Sequence, residues 1–159
     1  MVGAAWPADP AANVALCVAP SGQQFPVATG DGAGGAIVAW WDFRGGANFD
    51  LYATRVLADG RTDPAWPANG VALCTAPGDQ QYPAIAPDGA GGAIVFWCDA
   101  RGGLFDLYAT RVLANGTLDP AWPVNGLAVC ALPGGQWFPA AVSDGAGGAI
   151  VAWSDTRTG

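Results

Sequence analysis

The segment DGAGGAIVAW at residues 31–40 returns as DGAGGAIVFW at 88–97 and as DGAGGAIVAW at 144–153. A period of about 57 residues means tandem copies of one supersecondary unit, none of which can bury its apolar face alone. The copies align throughout: Trp6, Trp66 and Trp122; Cys17, Cys74 and Cys130; Pro26, Pro83 and Pro139; Asp42 and Arg44 with Asp99 and Arg101, then Asp155 and Arg157. The chain reads as a single repeat domain, 1–159, with approximate repeats at 1–62, 63–118 and 119–159. Asp50-Leu-Tyr-Ala-Thr-Arg55 recurs as Asp106 to Arg111 and has no third copy, so the last unit is incomplete.

Near-identical units present near-identical surfaces, whereas one active site needs different groups at different places. The composition argues the same way: all thirteen acidic residues are Asp, all six basic residues are Arg, and Glu, Lys and His are absent. The commonest general bases, metal ligands and Schiff-base nucleophiles are therefore missing, and enzymatic activity is not expected. A net charge of −7 opposes nucleic-acid binding, which needs a basic stripe to displace counterions. No apolar run approaches the roughly 20 residues of a membrane-spanning helix. MVGAAWPADP carries neither the basic segment nor the apolar core of an export signal.

Each complete unit holds four short runs rich in Val, Ile, Tyr and Trp, separated by Gly, Pro, Asn and Asp. In the second unit they are 71–74, 82–86, 93–98 and 107–113. No segment reads as a helix, because Gly and Pro interrupt every Ala-rich stretch. The DGAGG segments read as hairpin turns, with glycines at positive φ and Asp bonding nearby backbone. A dinucleotide-binding loop would need a helix after the glycines, and here a strand follows. One Asp per loop also falls short of the oxygens that calcium requires. No cofactor or metal is expected.

Four strands per unit in tandem predict an all-β fold of β-propeller blades, with a β-trefoil as the rival. The order of features resembles bacterial propeller repeats of the NHL type and extracellular repeats reading QxxPxxxxDGxGGxxxxWxDxR followed by DxYxxR. The resemblance covers almost the whole chain, and its motifs are structural. It implies that 25–29, 82–86 and 138–142 are innermost strands, that the LYATRVL segments are third and that VALC, VALC and LAVC are outermost. A secreted or cell-surface location is implied by this resemblance alone.

In that phase the first outer strand, Val14, Ala15, Leu16 and Cys17, precedes its own blade and is free to complete another by strand exchange. Exposed sheet edges invite pairing. The expected partner is a second copy, with two chains forming a six-bladed ring, or a filament-like array. A fragment of a longer ring is the plainer alternative. The functional expectation is a non-catalytic module for self-assembly or protein interaction, with multivalent carbohydrate binding as the alternative.

The candidate ligand-binding residues are the Asp–Arg pairs Asp42 and Arg44, Asp99 and Arg101, Asp155 and Arg157. Their functional role would be a clamp of carboxylate acceptors and planar guanidinium donors. Their structural role would be to order the turn, with Arg tied to Asp50, Asp106 or a neighbouring blade. Trp40, Trp97 and Trp153 are expected in the core, and Trp6, Trp66 and Trp122 on the long connections. The unrepeated Trp41 and Trp137 are expected to be exposed and available to stack on a sugar. Asp42 with Asp50, or Asp99 with Asp106, could be imagined as glycosidase carboxylates, but identical copies lack the asymmetry that hydrolysis needs. Cys17, Cys74 and Cys130 occupy equivalent places, too far apart for an intrachain disulfide, and read as small buried thiols.

Overall fold

The computed structural model describes residues 13–157. Ten strands form three antiparallel sheets, and no helix occurs among the described residues. The first sheet holds β1 (Gln23–Gly30), β2 (Ala36–Asp42), β3 (Asp50–Val56) and β4 (Val71–Cys74), paired in that order. The second repeats it with β5 (Gln80–Pro87), β6 (Ala93–Asp99), β7 (Asp106–Val112) and β8 (Leu127–Cys130). The third contains only β9 (Gln136–Ser143) and β10 (Ala149–Asp155). None of the sheets closes into a barrel.

Turn chemistry produces the hairpins. Asp31 Oδ1 accepts 2.8 Å hydrogen bonds from the N–H groups of Ala33 and Gly35, while Gly32 and Gly34 hold φ of 76° and 89°. The carboxylate thus supplies acceptors that the tight backbone turn cannot. Asp88 and Asp144 bind their own loops through the same two N–H groups. Each fourth strand comes from the sequence unit after the one it completes: β4 follows Trp66 and hydrogen-bonds back to β3.

Val14, Ala15, Leu16 and Cys17 form no strand, contrary to the expectation of an N-terminal outer strand. Their counterparts Val71–Cys74 are ordered as a strand by β3, and among the described residues no equivalent of β3 lies beside the first copy. The segment keeps its packing position nonetheless. Val18 N–H donates to Asn69 Oδ1 at 2.8 Å, as Thr75 N–H donates to Asn125 Oδ1 at 3.1 Å.

The sheets stack through one recurring seam. Ile37, Ala39 and Trp41 on β2 meet Ala93, Val95 and Trp97 on β6 in one cluster. The opposite face of β6, with Ile94 and Phe96, meets Ala149, Val151 and Trp153 on β10. All seven residues of β6 are therefore buried, whereas β10 alternates between half-buried and exposed because only one of its faces is covered. Removing a side chain as large as Trp97 from water is worth about 3 kcal/mol. Backbone bonds stitch the seams as well: Gln80 N–H donates to Phe49 O and Gln136 N–H to Phe105 O, both at 2.7 Å.

Candidate functional site

The Asp–Arg turns fold into a compact bracket in each complete sheet. Asp42 ends β2, where its Oδ2 accepts from Trp40 Nε1 at 2.8 Å and from Arg44 Nη2 at 2.6 Å. Its Oδ1 accepts from the Arg44 backbone N–H at 2.8 Å. The Arg44 guanidinium also donates to the Asn69 carbonyl at 2.8 Å and lies 3.6 Å from the centre of the Tyr52 ring. Asp99, Arg101, Trp97, Asn125 and Tyr108 reproduce the arrangement in the second sheet. Arg44 and Arg101 thus anchor to the carboxylate two residues earlier and to the loop leading into the fourth strand of the same sheet, rather than to the expected Asp50, Asp106 or neighbouring blade.

Asp42 and Asp99 are fully buried. Burial works against their ionisation, but hydrogen bonds from the arginine and tryptophan prevail and hold both carboxyls below the ordinary range. Asp50 and Asp106 sit directly opposite them across the strand pair. Burial first, and then the neighbouring carboxylate charge, pushes these two upward. Opposed shifts within a carboxylate pair can mark acid–base work. Here the low member spends its oxygens on Trp, Arg and backbone, so its chemistry is that of a structural anchor.

The third copy is looser. Asp155 and Arg157 pair at 2.8 Å with side-chain exposures of 17% and 43%, against 0% and 20% for Asp42 and Arg44. Trp153 Nε1 reaches Asp155 Oδ2 at 3.3 Å.

Trp41 is 5% exposed, contrary to expectation. It lies on the β2 face that enters the first seam, with its ring centre 4.3 Å from Phe25 and 5.3 Å from Tyr82. Trp137 is half-buried, 4.4 Å from Phe105. Trp40, Trp66 and Trp97 are buried, and Trp122 and Trp153 half-buried; Trp6 lies outside the described residues. The described cysteines are unpaired, with Cys74, Cys98 and Cys130 buried and Cys17 partly so.

Two features escaped the sequence reading. First, Phe25, Tyr82 and Phe138 adopt φ of 49°, 52° and 53°, each at a β-bulge on the first strand of its sheet. Bulky residues rarely occupy this region, at a cost on the order of 1–3 kcal/mol each. Phe25 and Phe138 are 59% and 61% exposed. Together with Pro26, Tyr82, Pro83 and Pro139 they place aromatic rings and prolines around the first strands, where Phe25, Tyr82 and these prolines line a cavity of about 200 Å³. The signal was the aromatic–proline dipeptide recurring in each unit.

Second, the hairpin aspartates pair with the third strand. Arg55 Nη2 lies 2.7 Å from Asp31 Oδ2, and Arg111 Nη2 lies 2.8 Å from Asp88 Oδ2. The signal was the fixed spacing between the two motifs.

A scan of the chain against protein-family models gives no match, and a search of curated proteins gives none either.

Proposed function

We propose that the chain is a non-catalytic, repetitive β-propeller module that associates through its terminal sheet faces. One observation carries this reading: among the described residues, the outward faces of the first and third sheets match the two halves of the seam that already joins the sheets. Ile150 is 62% exposed, while its equivalents Ile37 and Ile94, each inside a seam, are 0% and 4% exposed. At the other end, Val38 is half-buried where Val95 is fully enclosed. Val14, Leu16, Ala36, Val38 and Val56 line a cavity of about 490 Å³ there. On this reading the third sheet of one copy would meet the first sheet of the next, a head-to-tail contact that closes as a ring or continues as an array.

Analytical ultracentrifugation tests this. The chain should sediment as an oligomer at micromolar concentration, and Ile150→Asp, which alters a side chain already in water, should give a folded monomer. A stable monomer of the unaltered chain at that concentration would refute the proposal.

The exposed rings of Phe25 and Phe138 favour a second reading, multivalent carbohydrate binding, with sugars stacking on the aromatic–proline row rather than entering the buried Asp–Arg brackets. A glycan array probed with the assembled chain should then show binding that Phe25→Ala and Phe138→Ala weaken. Silence on the array at high valency would remove this alternative.

A further inference from the structure

Asn-Gly occurs three times in the chain, at 69–70, 115–116 and 125–126, and one of the three is held differently from the others. Asn69 and Asn125 lie at φ of 65° and 62° in the loops that the Asp–Arg brackets grip. Their carbonyls accept from Arg44 and Arg101 at 2.8 and 2.7 Å, and each Oδ1 accepts one N–H, from Val18 or Thr75. Asn115 is exposed in the turn after β7, outside the positive-φ region. Its Oδ1 accepts two bonds from one neighbour, the Thr117 N–H at 3.1 Å and the Thr117 hydroxyl at 2.8 Å. Among the described residues no hydrogen bond ties its carbonyl.

We propose that Asn115 is a site of spontaneous modification by water, and that the change acts on the contact joining the first two sheets. The backbone nitrogen of Gly116 attacks Cγ of Asn115 and gives up its proton; the N–Cγ bond forms, the Cγ–Nδ2 bond breaks and ammonia leaves with that proton. Water then opens the succinimide at either carbonyl, giving aspartate in the ordinary linkage or an isoaspartyl linkage that runs the backbone through the side chain. As the attack proceeds, charge develops on Oδ1, where the two Thr117 donors already point, in the manner of an oxyanion hole. Closing the ring turns the Asn–Gly peptide toward the side chain and carries the asparagine carbonyl with it. At Asn69 and Asn125 that rotation breaks a bond to a guanidinium; at Asn115 it does not. In all three pairs the glycine N–H donates to the carbonyl three residues back, at 2.9 or 3.0 Å, so that bond does not separate them.

The turn bears on the seam. Ala114 O, one residue before the asparagine, accepts from Trp66 Nε1 at 3.1 Å and from Arg55 Nη1 at 3.5 Å. Arg55 belongs to β3, and Trp66 to the cluster between the first and second sheets, so this carbonyl is a latch across the seam. Gly116 packs so closely under the Trp66 ring that a Cβ there would come within 2.8 Å of it. The equivalent turn of the first unit carries Asp59, whose Oδ1 accepts the Arg61 N–H at 3.1 Å as Asn115 accepts that of Thr117. The aspartate product therefore has a precedent in the molecule. The isoaspartyl product inserts an extra backbone atom between Ala114 and Gly116, inside the turn that Leu113 N–H closes on Thr117 O at 2.8 Å, and displaces the latch.

The test incubates the complete 159-residue chain near pH 8 in water labelled with heavy oxygen and follows the three sites by peptide mapping with mass spectrometry. Asn115 should convert about tenfold faster than Asn69 or Asn125 and take up the label, whereas in urea the three should react at similar rates because the dipeptide is the same. Thr117→Val, which keeps the shape and the N–H but removes the hydroxyl, should slow conversion about tenfold, less than in a water-excluded enzyme site, and Thr117→Ser should keep the original rate. If Thr117→Val disturbs the turn, the three sites compared in the unaltered chain carry the result. Conversion of Asn69 or Asn125 as fast as Asn115, the same ranking in urea, or an unchanged rate in Thr117→Val would overturn the proposal. Hydrogen exchange at the Trp66 indole should quicken in the aged chain and stay slow in Asn115→Asp; equal exchange in both would overturn the link to the seam. None of these outcomes depends on whether the chain associates.

Discussion

Asp99 shows how an acidic residue can be worth more inside this protein than on its surface. It is fully buried, 2.6 Å from Arg101, and bonded to Trp97 and backbone. Asp99→Asn removes the charge and leaves Arg101 paired only with neutral groups, which should cost roughly 2 kcal/mol. Asp155→Asn, in the open third copy, should cost far less in the same urea titration; equal losses would count against the bracket as a buried anchor. The pH response follows from opposed shifts. Asp31, Asp42, Asp88 and Asp99 have depressed folded values, so their contribution is present above the unfolded value of about 3.9 and is lost as pH falls through the folded values. Asp50 and Asp106 have raised folded values, so theirs is present below about 3.9 and is lost as pH rises through the folded values. Stability should therefore peak in mild acid, and Asp50→Asn with Asp106→Asn should flatten the decline toward neutrality. A melting temperature rising steadily from pH 4 to 7 would contradict this. The thiols have their own signature: burial pushes Cys74 up to about 12 and Cys98 up to about 11, so a thiol reagent at pH 8 should label the half-buried Cys17 first.

At the scale of the element, strands and turns were legible because Gly, Asn and Asp punctuate every β-rich run. The expected 71–74, 93–98 and 107–113 emerge as Val71–Cys74, Ala93–Asp99 and Asp106–Val112. The expected 82–86 lengthens to Gln80–Pro87, because the bulge at Tyr82 lets pairing resume before it. The burial of Trp41 was not legible, since neighbouring strand residues point to opposite faces and only the stacking of the second sheet on the first reveals that the face carrying Trp41 is covered. The Asp–Arg pairs were visible in the sequence as repeated polar residues, but their partners, Asn69 and Asn125, lie in loops whose approach depends on the strand returning from the next unit. Glycines test that return. Gly126 holds φ of 89° and leaves no room for a Cβ beside the Trp97 ring, whereas Gly145, at φ of 77°, faces open space. Gly126→Ala should cost roughly 3 kcal/mol and Gly145→Ala about 1 kcal/mol by chemical denaturation. Equal penalties would mean that backbone conformation alone, without the ring, sets the loss.

For the whole molecule, the two ends are unequal in what they leave uncovered. The segment from Val14 to Val18 rests on the first sheet, where Cys17 lies beside Asp42 and Arg44. Deleting residues 1–18 should speed amide exchange in β1 to β4 while β5 to β8 keep their protection, and it should weaken association. Unchanged subunit number and unchanged exchange would remove the amino-terminal segment from the assembly. Repetition made the all-β character and the repeated strand units readable from the sequence, because every copy carries the same apolar pattern. It also concealed differences between the copies: a motif present in all units does not reveal that the Asp155–Arg157 pair is more exposed than Asp42–Arg44.

Equivalent faces meet at both seams between the described sheets. Phe96 occupies a position held by Ala39 in the first seam, so the two seams are filled by side chains of different bulk. Phe96→Ala would therefore open a cavity in the second seam at a place where the first seam is already built around a methyl group.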